Sequence, residues 1–276
     1  MVEIGKYNTL RVVKIVDFGV YLDGDDEGEI LMPNEYVPEN IFPDDEVRVF
    51  VYFDSEDRII ATTENPVILV DGFAYMRAVS TTSIGAFMDW GLRKDLFVPF
   101  REQLEPIEEG KYYMVHAYLD DRTQRIVGST KIDHFLDETI PDYEVEEEVE
   151  LIIARKTDLG YAVIVNESDW GLIYNNEIFQ SLKLGQKIKG YIKEIREDGK
   201  IDVTLNKSGY EKIDGLAGDI LEKLKDYGGI LDISDKSKPE DIYRICGCSK
   251  KNFKKALGTL FKKGLIEILP KEVHLK

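Results

Sequence analysis

Internal repetition limits what this chain can fold into more than any other feature. Residues 10–22 alternate polar and apolar side chains and break at Gly19; the pattern returns at 76–88 around Gly85 and at 151–163 around Gly160. A short apolar segment follows each, at 29–32, 95–98 and 171–174, and then a polar connection of ten or more residues. A longer alternating segment comes next (46–53, 111–119, 187–195). A tight charged turn leads to the last one (58–63, 125–130, 200–205). Period-two alternation with turns at this spacing predicts five antiparallel strands in about 60 residues, three times over.

A five-stranded unit of this size, with its longest connection between strands three and four, fits a small OB-fold barrel. The aligned glycines suit strands that bend sharply around such a barrel. The reading is mainly β with an α/β tail: repeats at 1–66, 67–143 and 144–207, then a different domain at 208–276. Pro66 ends the first repeat. The 131–143 linker carries Ile132, Phe135 and Leu136, so it is expected to dock rather than swing freely. Residues 144–150 are acidic, but Val145 and Val149 make them a charged lead into a strand.

After Leu205 the apolar period becomes about 3.6 residues, with Leu216, Ile220, Leu221 and Leu224 on one helical face and Gly228-Gly229 as its stop. A short strand at 231–233 precedes a second helix that Pro239 starts and Gly247 closes. Ser249 caps a third helix, in which Phe253, Leu257, Leu260 and Phe261 are expected to face inward. A hairpin through Pro270-Lys271-Glu272 ends the chain. Helix, strand, helix, helix, hairpin is the winged-helix order.

Charge is unevenly shared. The net charge is -17, yet residues 207–276 carry 15 basic and 11 acidic side chains, against 21 and 42 in residues 1–206. From Arg244 to Gly264 there are seven basic residues and no acid. Lys251, Lys255 and Lys262 fall opposite the apolar face of the third helix, with Lys250 and Lys254 on a flank. That stripe fits phosphate binding, and also fits the plain solvation of an exposed face.

Other function classes find little support. His116, His134 and His274 are scattered over different units, and no Gly-rich loop with a following Lys appears, so the chain is not read as an enzyme. Cys246 and Cys248 are too close for an easy disulfide and too few for a zinc site, so neither metal nor cofactor is expected. No apolar run approaches a membrane span and the first nine residues do not read as a signal peptide, which gives a cytoplasmic expectation.

The repeats resemble the RNA-binding domain of ribosomal small-subunit protein S-one. That pattern is an aromatic-Gly-x-aromatic strand, a Gly-Leu-x-His-like strand, and an Asp with an Arg four residues later. Three such units followed by a winged helix are similar to the conserved virulence factor B family of bacterial RNA-binding regulators. By that resemblance Phe18 and Tyr21 are the first repeat's aromatics, Met32 stands at the His position, and Asp54 and Arg58 form the acid–base pair. In the second, Ile84 replaces one aromatic, Phe87 keeps the other, Val98 stands at the His position, and Asp121 and Arg125 are the pair. In the third, Leu159 and Ala162 replace both aromatics, Tyr174 takes the His position, and Arg196 and Lys200 the pair.

Aromatics standing out from a small barrel can stack on unpaired bases; they can equally be ordinary barrel packing. The first repeat has the better aromatics but sits in an acidic stretch, with 5 basic and 16 acidic residues in 1–70. In the third, Lys187, Lys189, Tyr191 and Lys193 alternate outward on one strand, as phosphate ligands or as a charged edge that resists aggregation. The expected role is therefore single-stranded RNA binding, mainly by repeat three and the winged helix, in post-transcriptional regulation. A winged-helix regulator of duplex DNA and a protein-binding scaffold are the alternatives.

Overall fold

Apolar residues at every second position turn the first repeat into strands β1 (Tyr7–Val16), β2 (Gly19–Asp23), β3 (Glu29–Pro33), β4 (Glu46–Phe53) and β5 (Ile59–Thr62). They form a closed barrel in the order β1-β2-β3-β5-β4, closed by the parallel pairing of Leu31 with Ile60. The computed structural model describes residues 1–137, 141–178, 180–205 and 210–276, which fall into two units, Met1–Leu136 and Asp137–Lys276.

The second repeat supplies β6 (Phe73–Thr81), β7 (Gly85–Met88), β8 (Leu96–Pro99), β9 (Tyr112–Leu119) and β10 (Ile126–Ser129), in the order β10-β9-β6-β7-β8. Here β8 and β10 meet through side chains: Gly128 packs directly on Leu96 and Val98. The third repeat, in the second unit, is again a closed barrel of β11 (Glu148–Lys156), β12 (Gly160–Val165), β13 (Asp169–Tyr174), β14 (Lys187–Ile195) and β15 (Ile201–Thr204). The aligned glycines have a more specific cause than bending. A Cβ on Gly19, Gly85 or Gly160 would run into the carbonyl oxygen of Met32, Val98 or Ile173 on the neighbouring strand.

Barrels one and two share a core. Along β4, Val47, Val49 and Val51 point into their own barrel, while Phe50 and Tyr52 point outward and are buried against Ile68, Trp90 and Leu92. The Trp90 ring meets Phe50 edge-on at 5.7 Å, and its indole N–H donates to the Ile68 carbonyl at 2.8 Å. The linker docks as its apolar residues require. Ile132 and Leu136 are buried, and Phe135 stacks on His116 at 4.1 Å between ring centroids.

The tail is a winged helix of α1 (Tyr210–Asp226), β16 (Ile230–Leu231), α2 (Pro239–Cys246), α3 (Lys250–Lys262), β17 (Ile266–Ile268) and β18 (Val273–Leu275), with sheet order β16-β18-β17. Gly247 ends α2 in the left-handed conformation, and the Ser249 hydroxyl accepts the Asn252 N–H to cap α3. Ile220, Leu224, Phe253, Leu257, Leu260 and Val273 form the core. Phe261 differs from expectation: eight residues beyond Phe253 it is turned ~80° from it, and it is 54% exposed. The sequence-based boundary at residues 207 and 208 lies outside the described residues.

Candidate nucleic-acid interface

Strand parity decides which side chains stand out from the barrels. On β2, Val20 and Leu22 are buried and Tyr21 points outward; Phe18, just before the strand, is 57% exposed. The two rings lie edge to face at 6.3 Å, and the Lys14 ammonium is 4.7 Å from the Tyr21 ring centre. Two nearby acids are engaged: Glu29 pairs with Lys14, and Asp23 lies 3.0 Å from Arg11. Two of the first barrel's acids near the aromatic pair are thus answered by basic side chains, while Asp17, next to Phe18, is exposed. Arg58 is exposed and bonded to Asp54 at 2.7 Å and Glu56 at 3.0 Å.

The observed register corrects two of the sequence assignments. Gly19 pairs with Pro33, Gly85 with Pro99 and Gly160 with Tyr174. Tyr174 therefore corresponds to Pro33 and Pro99, while Met32 and Val98 correspond to Ile173 and are fully buried. A one-residue slip moves a strand residue to the opposite face, so neither Met32 nor Val98 occupies an outward binding position. Likewise Asp120, not Asp121, is the counterpart of Asp54. Its N–H bonds to the Arg125 carbonyl at 2.9 Å, as Asp54 bonds to Arg58 at 2.9 Å, and the second repeat's turn is one residue longer. The buried Asp120 carboxylate pairs with Arg101, and Arg125 reaches across to Asp57 of barrel one.

That reach frames a cavity of about 460 Å³ on barrel two. Ile84, Phe87 and Phe97 line it from barrel two, and Phe53 and Asp57 from the β4–β5 turn of barrel one. Phe97 escapes the motif comparison, although its outward parity between buried Leu96 and Val98 marks it.

In barrel three, Lys187, Lys189, Tyr191 and Lys193 do project outward, each beside an acid. Lys187 is 3.2 Å from Glu167, Lys189 2.6 Å from Glu148, and Lys193 3.1 Å from Glu177. The Tyr191 hydroxyl donates to Glu148 at 3.2 Å. Nor is β14 a sheet edge, since it pairs with both β11 and β15. Arg196 donates to the Tyr174 hydroxyl and binds the buried Asp202 carboxylate at 2.9 Å, and exposed Lys200 pairs with Asp198 at 2.6 Å. Trp170, outward on β13 with the Arg155 guanidinium 4.5 Å from its ring centre, is an aromatic–cation pair that the motif comparison passes over.

On α3, Lys250 donates to the Ser237 carbonyl at 2.8 Å and Lys254 lies 3.7 Å from Asp235. Lys251, Lys255 and Lys262 are exposed and have no ion-pair partner among the described residues. Both cysteines are free and buried, with thiols pushed up by burial, to about 11 for Cys246 and about 12 for Cys248, which makes them unreactive. No group of three or more metal-ligating side chains occurs among the described residues, and no described helix is long and apolar enough to cross a membrane.

Comparison with known proteins fits this architecture. The family described as S1 domain matches residues 4–64, and the CvfB-like winged helix domain matches residues 218–275. Both are nucleic-acid-binding domain families. The Bacillus subtilis protein YitL is 29% identical over 95% of this chain and 90% of its own. Conserved virulence factor B of Staphylococcus epidermidis is 26% identical over 96% of this chain and 92% of its own. A solved multidomain protein with nucleic acid binding domains from Streptococcus pneumoniae covers 99% of this chain and 98% of its own, at 24% identity and a TM-score of 0.42.

Proposed function

We propose that this chain, which carries matches to the S1 domain and the CvfB-like winged helix domain and is similar to conserved virulence factor B over most of its length, is a member of that family, binds single-stranded RNA and regulates gene expression after transcription. One observation carries the choice of a single strand. Phe18 and Tyr21 form an exposed aromatic pair with a lysine over one ring, on the outward face of a small barrel. Paired bases offer no free face to such a platform, whereas each unpaired base stacked there gains about 1–3 kcal/mol.

The second unit supplies phosphate attraction, chiefly through Lys251, Lys255 and Lys262 on α3, with Tyr174 and Arg196 of barrel three as a further contact. The lysine strand β14 contributes less than its sequence suggests, because its charges are answered by Glu148, Glu167 and Glu177. The buried free thiols support a reducing compartment, in keeping with a cytoplasmic role.

The test titrates the full chain against single-stranded RNA, single-stranded DNA of the same sequence and duplex DNA at two salt concentrations. The expected order is RNA, then single-stranded DNA, then duplex. Phe18→Ala with Tyr21→Ala is expected to lower RNA affinity at least tenfold, with the far-UV spectrum and melting temperature unchanged. Tight duplex binding without RNA binding would make the chain a winged-helix DNA regulator. Binding to none of the three would leave the scaffold reading.

A further inference from the structure

The cavity between barrels one and two has the chemistry of a small-molecule site rather than of a strand path. Its volume, about 460 Å³, lies within the range of small-ligand pockets. Phe87 and Phe97, with ring centroids 5.1 Å apart, form an apolar wall together with Ile84 and Val127, and Phe53 stands on the barrel-one side. Polar groups sit at defined points. Asp95 lines the cavity, is half-buried, and has no hydrogen-bond or ion-pair partner among the described residues. Burial and the neighbouring Asp89 push its carboxyl above the usual range. Such a carboxylate is held at an energetic cost unless something donates to it.

Two cations also line the cavity. Lys94 is half-buried and donates to the Phe53 and Asp54 carbonyls at 3.1 and 2.7 Å, so it fixes the barrel-one turn against barrel two. Arg125 is partly exposed and paired with Asp57, also partly exposed, so this ion pair can open toward an anion at little cost. An apolar slot, an N–H acceptor and an exchangeable guanidinium together select a planar ring with an N–H edge and an attached anionic group.

We propose that this cavity binds one free nucleotide, its base against Phe87 and Phe97, its N–H edge at Asp95 and its phosphate at Arg125. The walls come from both barrels, which makes this site separate from the open Phe18–Tyr21 platform and independent of whether a strand binds there. Phe87 and Arg125 then serve a small ligand rather than the polymer.

The test uses the full chain and the four ribonucleoside monophosphates, each followed by tryptophan fluorescence in a Trp170→Phe background, where Trp90 in the cavity wall is the one remaining tryptophan. At least one monophosphate is expected to bind saturably below millimolar concentration. Phe87→Ala should weaken it tenfold or more. Arg125→Gln should weaken the nucleotide but not the matching nucleoside, and Asp95→Asn should change which base is preferred. Phe18→Ala should leave it unchanged. Urea unfolding of each variant separates loss of the site from loss of the fold. The proposal is overturned if no monophosphate binds up to several millimolar, if folded Phe87→Ala and Asp95→Asn bind as the parent does, or if only oligonucleotides protect the cavity.

Discussion

The outer face of the fourth strand occupies the same place in all three barrels and has three different fates. In barrel one it presents Phe50 and Tyr52, buried under Trp90 of the next repeat. In barrel two the matching residues are His116 and Tyr118, covered by Phe135 of the linker at 4.1 and 5.0 Å. In barrel three they are Tyr191 and Lys193, and the face is charged and open. The residue opposite on each first strand follows suit: Tyr7 packs on Phe50, Phe73 on His116, and Glu148 bonds to Tyr191. A strand's inner face makes the barrel, and its outer face is left to decide whether the barrel docks onto something. Two copies use that face to build one compact unit, and the third fills it with ion pairs.

The largest test of this contrast is truncation at equivalent positions. Phe50→Ala removes a fully buried ring from the shared core and is expected to cost about 3–5 kcal/mol of unfolding free energy. Tyr191→Ala removes a half-exposed ring and one hydrogen bond, and is expected to cost no more than about 1 kcal/mol. Urea unfolding measures both. Equal losses would mean that the two faces are not used differently.

A smaller effect follows from the middle case. Burial beneath Phe135 lowers the His116 pKa to about 4, from an unfolded value near 6.5. Between those values the unfolded chain holds more protons than the folded one, so stability falls as pH falls from 6.5 to 4. The loss is on the order of 3 kcal/mol, and His116→Phe should abolish this part of the slope. Comparing unfolding of the two proteins at pH 7 and pH 4 checks it. Parallel curves would show that His116 takes up its proton in the folded state without penalty.

Much of this was legible in the sequence. Alternation located all fifteen barrel strands, and the change to a 3.6-residue period, with Pro239, Gly247, Ser249 and Gly264, located the tail's helices and their ends. The docking of 131–136 followed from three apolar residues in a connection. What escaped depended on pairing between distant segments. Met32 and Val98 were misplaced because motif spacing tolerates a one-residue slip that the observed register does not. Asp120 was missed because one turn is a residue longer, and the cavity because part of its wall comes from another repeat. Local sequence could not show that the lysines of β14 meet Glu167, Glu148 and Glu177, which lie 20, 41 and 16 residues away along the chain.

Those glutamates set the smallest expected effect. Lys189 and Lys193 would be obvious phosphate ligands if they were free, but Glu148 and Glu177 already occupy them. Exposed pairs of this kind contribute only about 0–1 kcal/mol to stability, so Lys189→Gln with Lys193→Gln should leave unfolding nearly unchanged. It should also change RNA affinity less than the loss of unpaired lysines does, because phosphate has to displace Glu148 and Glu177 before it can reach these two. Lys251→Gln with Lys255→Gln removes charges that no described acid offsets, and should reduce the slope of log affinity against log salt by about 2. Salt titrations of the two double variants side by side make the comparison. If the β14 variant lowers the slope as much as the α3 variant, the glutamates yield to phosphate and barrel three's fourth strand is where RNA runs.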